Sequence, residues 1–168
     1  MNVFENREAR LFNTPLEVGL RSLFILKSTY PKSIDLQRLV YYDYLMLHSG
    51  DIEAGPKSLH PSLPQRAAEI TVKRDIISRG LMLMKSKELV SVSFDATGIG
   101  YKATKLTTPF LQFLSHPYSK SLDTLADWVV TKFSNFSDEN LDTFVSNNLS
   151  VWGSEFENES LIRGFYDE

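Results

Sequence analysis

Residues 64–101, PQRAAEITVKRDIISRGLMLMKSKELVSVSFDATGIGY, decide the fold. The first part of this stretch has helical spacing. Ile70, Ile77, Leu81 and Met84 form one apolar stripe, and Val72, Ile76 and Leu83 form a neighbouring one. Glu69 and Lys73 fall between the stripes, four apart and in the order that favours an ion pair. Arg74, Ser78, Arg79 and Lys85 make the outer face. Gly80 interrupts the pattern. Glycine costs about 1 kcal/mol against alanine in an exposed helix, so it points to close packing, a kink, or a break into two helices. From Leu89 the period changes. Val90, Val92 and Phe94 alternate with Ser91 and Ser93, the period of a half-buried strand. Residues 95–100 are turn chemistry, and residues 101–104 are the expected returning strand. A helix running straight into a small hairpin predicts a winged helix-turn-helix domain, mainly α with a small β wing.

The flanking sequence reads as support for that unit. Residues 11–13 are expected to be an extended lead-in. Thr14, Pro15 and Glu17 then make a capping box with proline at the first helical position. Leu16, Leu20, Leu23 and Phe24 fall on one face, expected to be buried, and Pro31 stops the helix by about Tyr30. A second helix starts at Ser33 or Asp35, carries Leu36, Leu39, Val40, Tyr44 and Leu47, and ends at Ser49-Gly50. Residues 51–63 are a loop of about thirteen residues, longer than most connections in compact domains. Beyond the hairpin, Thr107 or Thr108 with Pro109 starts a short helix closed by Pro117. Residues 121–133 and 137–149 are predicted helices, and the remainder shows no clear period. Trp152, Phe156, Leu161, Ile162, Phe165 and Tyr166 in that remainder are costly to leave in water, so docking on the domain or a partner is expected. The predicted division is a winged-helix domain over 1–118 and a helical extension with an acidic aromatic tail over 119–168.

Composition bounds the function. The 168 residues are 42% hydrophobic and include 11 Phe, 7 Tyr and 2 Trp, which argues for a packed core rather than disorder. With 0 Cys there are no disulfides, thiolate metal sites or cysteine nucleophiles. No apolar run reaches the roughly 18 residues of a membrane span, and the amino terminus is too charged for a signal peptide. The expectation is a soluble cytoplasmic protein. The net charge of -3 hides a division. Residues 65–105 carry eight basic and four acidic side chains, and residues 121–168 carry two and ten. Such segregation favours a polar partner, or contact between the two halves.

Candidate chemistry is sparse. His48, Asp51 and His60 could form a metal or acid–base cluster, but their spacing matches no metal-site pattern. The plainer reading is that His48 caps a helix end and His60 orders its loop. Ser49 or Ser58 with His48 and Asp51 would make a hydrolase, without any nucleophile-elbow context. Gly98-x-Gly100 sits in a hairpin turn and is no phosphate loop, and no Walker sequence is present. No catalytic residue, metal or cofactor is therefore assigned. Arg66, Lys73, Arg74, Arg79, Lys85, Lys87 and Lys102 suit phosphate contact along a helix and wing. Of these, Arg74, Arg79, Lys85 and Lys102 are the candidate DNA-binding residues. Asn and Gln are scarce in the third helix, so little base-edge reading is expected.

Several short runs carry a family resemblance. Leu11-Phe12-Asn13-Thr14-Pro15, Tyr42-Asp43-Tyr44-Leu45, His48-Ser49-Gly50-Asp51 and Gly55-Pro56-x-Ser58-Leu59-His60-Pro61 resemble the middle component of bacterial ABC-three-component systems. Arg66, Glu69 and Gly80-Leu81-x-Leu83-Met84 continue the likeness, which covers residues 11–115. The resemblance implies a small non-catalytic winged-helix subunit that links an SMC/Rad50-like ATPase to an effector, often a nuclease. The Lamassu anti-phage systems are of this kind. It implies partner contact, for which the candidates are His48, Asp51, His60, Glu69, Lys73, Trp152 and Phe156. The rival readings are a winged-helix transcriptional regulator and the hydrolase above.

Overall fold

The structure is a computed structural model that describes residues 13–61 and 66–164, with backbone alone at 66–69, 71, 150 and 153–164. The described residues form six α-helices, a 3-10 turn and one two-stranded antiparallel sheet. The chain is thus mainly helical with a small hairpin.

Helix α1 (Pro15–Thr29) begins at the Thr14 N-cap, whose hydroxyl accepts the Glu17 N–H at 3.3 Å. It ends before a cis Tyr30–Pro31 peptide. The residues from Arg21 to Leu26 are all buried, together with Val18 and Gly19. Of the expected face, Leu23 and Phe24 are buried, while Leu20 is only half-buried and Leu16 is exposed. A single amphipathic stripe assumes one packing partner, whereas α1 is covered from several sides by later elements.

Helix α2 (Leu36–Leu47) is capped by Asp35, whose carboxylate accepts the Arg38 N–H at 2.7 Å. Every residue from Leu39 to Leu47 is buried, so this helix is the centre of the core. A 3-10 turn, Ser49–Asp51, leads into the long loop.

Helix α3 (Arg66–Ser86) is unbroken across Gly80. Of the three reasons for a glycine there, close packing holds. A Cβ on Gly80 would stand 2.6 Å from the Pro15 carbonyl oxygen and 2.7 Å from the Gly19 nitrogen. A Cβ on Gly19 would stand 2.8 Å from the Gly80 oxygen. The two helices therefore cross backbone to backbone. Ile70, Ile77, Leu81 and Met84 are buried as the spacing predicts, while Ile76 and Leu83 are half-buried and Val72 is exposed.

Strands β1 (Val90–Asp95) and β2 (Gly98–Ala103) pair from Val90↔Ala103 to Asp95↔Gly98. The Asp95 carboxylate accepts the Thr97 N–H at 2.8 Å, which closes a two-residue turn. Gly98, with φ of +126°, takes a backbone conformation that a side chain would strain. The return strand thus starts three residues before the expected Tyr101. Ile34, between α1 and α2, bridges to Tyr101 through both main-chain groups, at 3.0 and 2.8 Å.

Helices α4 (Thr107–Gln112), α5 (Pro117–Lys132) and α6 (Asp138–Gly164) complete the chain. Helix α5 packs on α1 and α2, and α6 runs against α2 and α3. Helix α6 extends well beyond residue 149, its expected end. Leu141, Val145 and Trp152 on it are buried. Arg38 of α2 donates to Asp138 and to the Phe136 carbonyl, each at 2.7 Å, and the Tyr41 hydroxyl donates to Asp142. The carboxy-terminal segment therefore docks on the helical body as far as Trp152. No helix among the described residues is long and apolar enough to cross a membrane.

Candidate functional site

The most elaborate polar arrangement lies where the long loop returns onto α2. His48 is the C-terminal cap of α2, and its N–H reaches the Tyr44 carbonyl at 3.0 Å. Its ring is 2% exposed and lies 4.8 Å from the Tyr44 ring. The loop then folds on itself. The Ser49 hydroxyl donates to the Lys57 carbonyl at 3.3 Å, and the Gly50 N–H donates to the Ser58 hydroxyl at 2.9 Å. Gly55 admits no side chain, because a Cβ there would fall 2.1 Å from the Ser49 oxygen. Leu59 and His60 both donate their N–H groups to the Leu47 carbonyl, at 3.0 and 3.1 Å. The distinctive residues of 48–60 thus build a closed loop, each through a specific hydrogen bond or close approach.

Beneath the loop sits an ion cluster from three helices. Arg21 of α1 grips Asp43 of α2 with two hydrogen bonds, Nε at 2.5 Å and Nη2 at 2.9 Å. Lys73 of α3 brings its Nζ to 3.4 Å from the same carboxylate. All three side chains are buried, and Asp43 is 0% exposed. Burial alone would raise the Asp43 pKa, but Arg21 and Lys73 outweigh it and hold the group at about 2. Burial likewise opposes the charged form of Arg21, and the Asp43 carboxylate more than offsets it, so its pKa is raised. The Arg21–Asp43 pair stays ionised because each desolvated charge faces an opposite one.

Two further contacts tie this cluster to the rest of the fold. His60 Nε2 lies 2.9 Å from the Tyr118 hydroxyl of α5, with the two rings stacked. Burial, and then the cations Arg21 and Lys73, push His60 down to about 4, so its imidazole is neutral at pH 7. Burial raises the Tyr118 pKa. On the other side, Trp152 of α6 donates its indole N–H to the Asp51 carbonyl at 3.0 Å and stacks on Tyr44 at 5.7 Å. Lys73 Nζ lies 5.7 Å from the centre of the same Tyr44 ring.

The structure therefore brings His48, Asp51, His60, Lys73 and Trp152 into one neighbourhood. His48, Lys73 and Trp152 are inside the protein, and Asp51 and His60 are half-buried. The side chains of Glu69 and Phe156 lie outside the described residues. Lys73 pairs with Asp43, a partner that its spacing from Glu69 does not indicate. The cationic candidates lie elsewhere. Arg74 is exposed and donates to Gln37, and Arg79 is exposed with Asp75 at 3.9 Å. Lys85 is exposed, and Lys102 is half-buried on β2 opposite Ser91. Arg21, Asp43 and Tyr118 were not among the sequence candidates. The available signal was a charge inside each of two apolar runs, GLRSLFIL and YYDYLML.

The polar groups of this arrangement are engaged with one another. The Ser58 hydroxyl is engaged by the loop backbone, and the carboxylate of the cluster is committed to two cations. No group of three or more His, Asp or Glu able to hold a metal occurs among the described residues. The site ties five helices and the loop together.

Residues 11–155 match the family model described as ABC-three component (ABC-3C) system Middle Component 2. No curated protein and no solved structure matches.

Proposed function

The chain belongs to the Middle Component 2 family of ABC-three component systems, and from that premise we propose that it is a non-catalytic adaptor joining an SMC-like ATPase to an effector. Membership makes it one component of a multi-subunit system with protein partners, and associates it with antiviral defence in general. The finer reading is a bacterial anti-phage complex of the Lamassu kind with a nuclease effector, working in the cytoplasm. In it the adaptor holds the effector inactive until an ATPase engaged on foreign DNA shifts the equilibrium.

The observation that carries the adaptor reading is the burial of the polar centre. Arg21, Asp43, Lys73 and His48 are turned inward and spent on the chain's own architecture. Partner contact then falls to exposed surface. The winged-helix reading of this subunit is supported by element order: α1, the Ile34 bridge to Tyr101, α2, α3 and the hairpin. Family analogy, rather than a catalytic site, motivates the partner identities.

Affinity purification of the tagged chain from its native locus tests the reading. Recovery with an ATPase subunit and a third component is expected. Recovery of the chain alone, as a homodimer bound to one DNA sequence, would overturn it in favour of a transcriptional regulator.

A further inference from the structure

The hairpin outruns the body it packs on. Cross-strand partners share a face, so Val90 with Ala103, Val92 with Tyr101 and Phe94 with Ile99 make one apolar side. Val90, Ala103 and Tyr101 are buried. At the distal end the same stripe continues into solvent, with Phe94 75% and Ile99 49% exposed. A groove of about 540 Å³ opens beside Ile99, between the tip and the turn at Pro31.

Among the described residues the β1 edge is also open. Tyr101 sends both main-chain groups to Ile34, away from β1. In an antiparallel ladder, opposed residues point their N–H and C=O groups either at each other or both outward. Val92, opposite Tyr101, therefore turns its groups to the outer edge, and Phe94, two residues on, does the same. Among the described residues no backbone hydrogen bond from another element reaches either one. Edge strands are ordinarily guarded by lysine, proline or a bulge. Residues 90–95, VSVSFD, contain no lysine or proline, and their register is continuous.

We propose that β1 receives an extended segment of a partner protein as an added strand, with apolar side chains of that segment lying against Phe94 and Ile99. This rests on the adaptor reading. The main-chain groups at Val92 and Phe94 specify an extended backbone, and the two faces of β1 specify its side chains. Alternate residues are apolar on the Phe94 side and small or polar opposite Ser91 and Ser93. A second copy of this chain is the weaker occupant. Two overhanging side chains fall far short of the roughly 800 Å² per partner of a stable interface. A strand belonging to a larger subunit already bound elsewhere needs no such area of its own.

Hydrogen exchange at the Val92 and Phe94 amides tests this in the isolated chain and in the complex recovered from the native locus. Both amides should exchange freely in the isolated chain and be protected in the complex. Val92→Pro removes one outward N–H and leaves the β1–β2 bonds in place, so about tenfold weaker association with the partner subunits is expected. Phe94→Lys, which alters no main-chain group, should weaken association in the same direction. Recovery of partners with both amides unprotected, or with both variants binding as wild type, would overturn the added strand while leaving the adaptor reading intact. Recovery of the chain alone would sink both. Protection that rises with concentration of the isolated chain would replace the partner strand with a second copy.

Discussion

At the scale of single residues, Asp43 is the position on which most depends. Among the described residues, its carboxylate faces both Arg21 and Lys73 in a buried setting. Asp43→Asn leaves the buried Arg21 guanidinium facing a neutral amide, and a loss of about 3–5 kcal/mol is expected, read from urea unfolding. Its pH signature follows from the lowered pKa. The stabilisation is fully present above the unfolded value near 4 and is lost as pH falls toward 2. His60 acts in a higher window. Its folded pKa is about 4 against an ordinary 6.5, so between these values the unfolded chain binds the extra proton. Stability should therefore decline on acidification from pH 6.5 to 4, and His60→Gln should flatten that slope; an unchanged slope in unfolding titrations would refute the assignment. Little of this was legible in the sequence. His48 and His60 stood out because their motifs are unusual, and the cap and loop-ordering roles fit where they lie. Arg21 and Asp43 did not, because a lone charge in an apolar run shows neither its partner nor that it has one. The cluster draws on three helices, and side-chain spacing along one helix cannot reveal pairing across helices.

At the scale of elements, boundaries set by local chemistry were readable and packing faces were not. The Thr14 N-cap, Pro31, Asp35 and the alternating Val90–Phe94 run each act within a few residues, and each appears where the sequence puts it. The face of α1 depends on what later packs against it, and Leu16 turned outward accordingly. Gly80 shows the same limit. Its presence signalled something special, and only the crossing with Gly19 says what. That crossing reverses the usual sign of a glycine substitution. On an exposed helix Gly→Ala stabilises by about 1 kcal/mol. Here Gly80→Ala pushes a methyl group into the α1 backbone, so a loss of about 1–3 kcal/mol is expected in chemical denaturation. Adding Gly19→Ala should cost less than the sum of the two single changes, because the first Cβ has already separated the helices. Simple additivity would mean that the two glycines do not share one contact.

At the scale of the whole molecule, the division of charge becomes an arrangement in space. The acidic α6 docks beside α2 and α3, with Arg38 reaching Asp138 and Trp152 reaching the loop. Trp152→Ala should cost about 3–5 kcal/mol and increase protease cleavage in residues 51–61, whose Asp51 carbonyl loses its donor. Trp152→Phe keeps the stacking surface and should cost about 1 kcal/mol. The same arrangement bears on DNA. A hairpin that grips phosphate would carry cations at its tip, whereas this tip carries Phe94, Asp95, Thr97 and Ile99. On α3, Arg74 is engaged by Gln37 and Arg79 has Asp75 beside it. Any DNA contact here is therefore expected to be diffuse and electrostatic. Arg79→Glu combined with Lys85→Glu should weaken binding of the assembled complex similarly on unrelated duplexes and make the salt slope shallower. Competition binding across a salt series distinguishes this from base reading. A loss of about 1–3 kcal/mol confined to one sequence, the worth of a single bidentate base contact, would make α3 a recognition helix and restore DNA as the primary partner of this face.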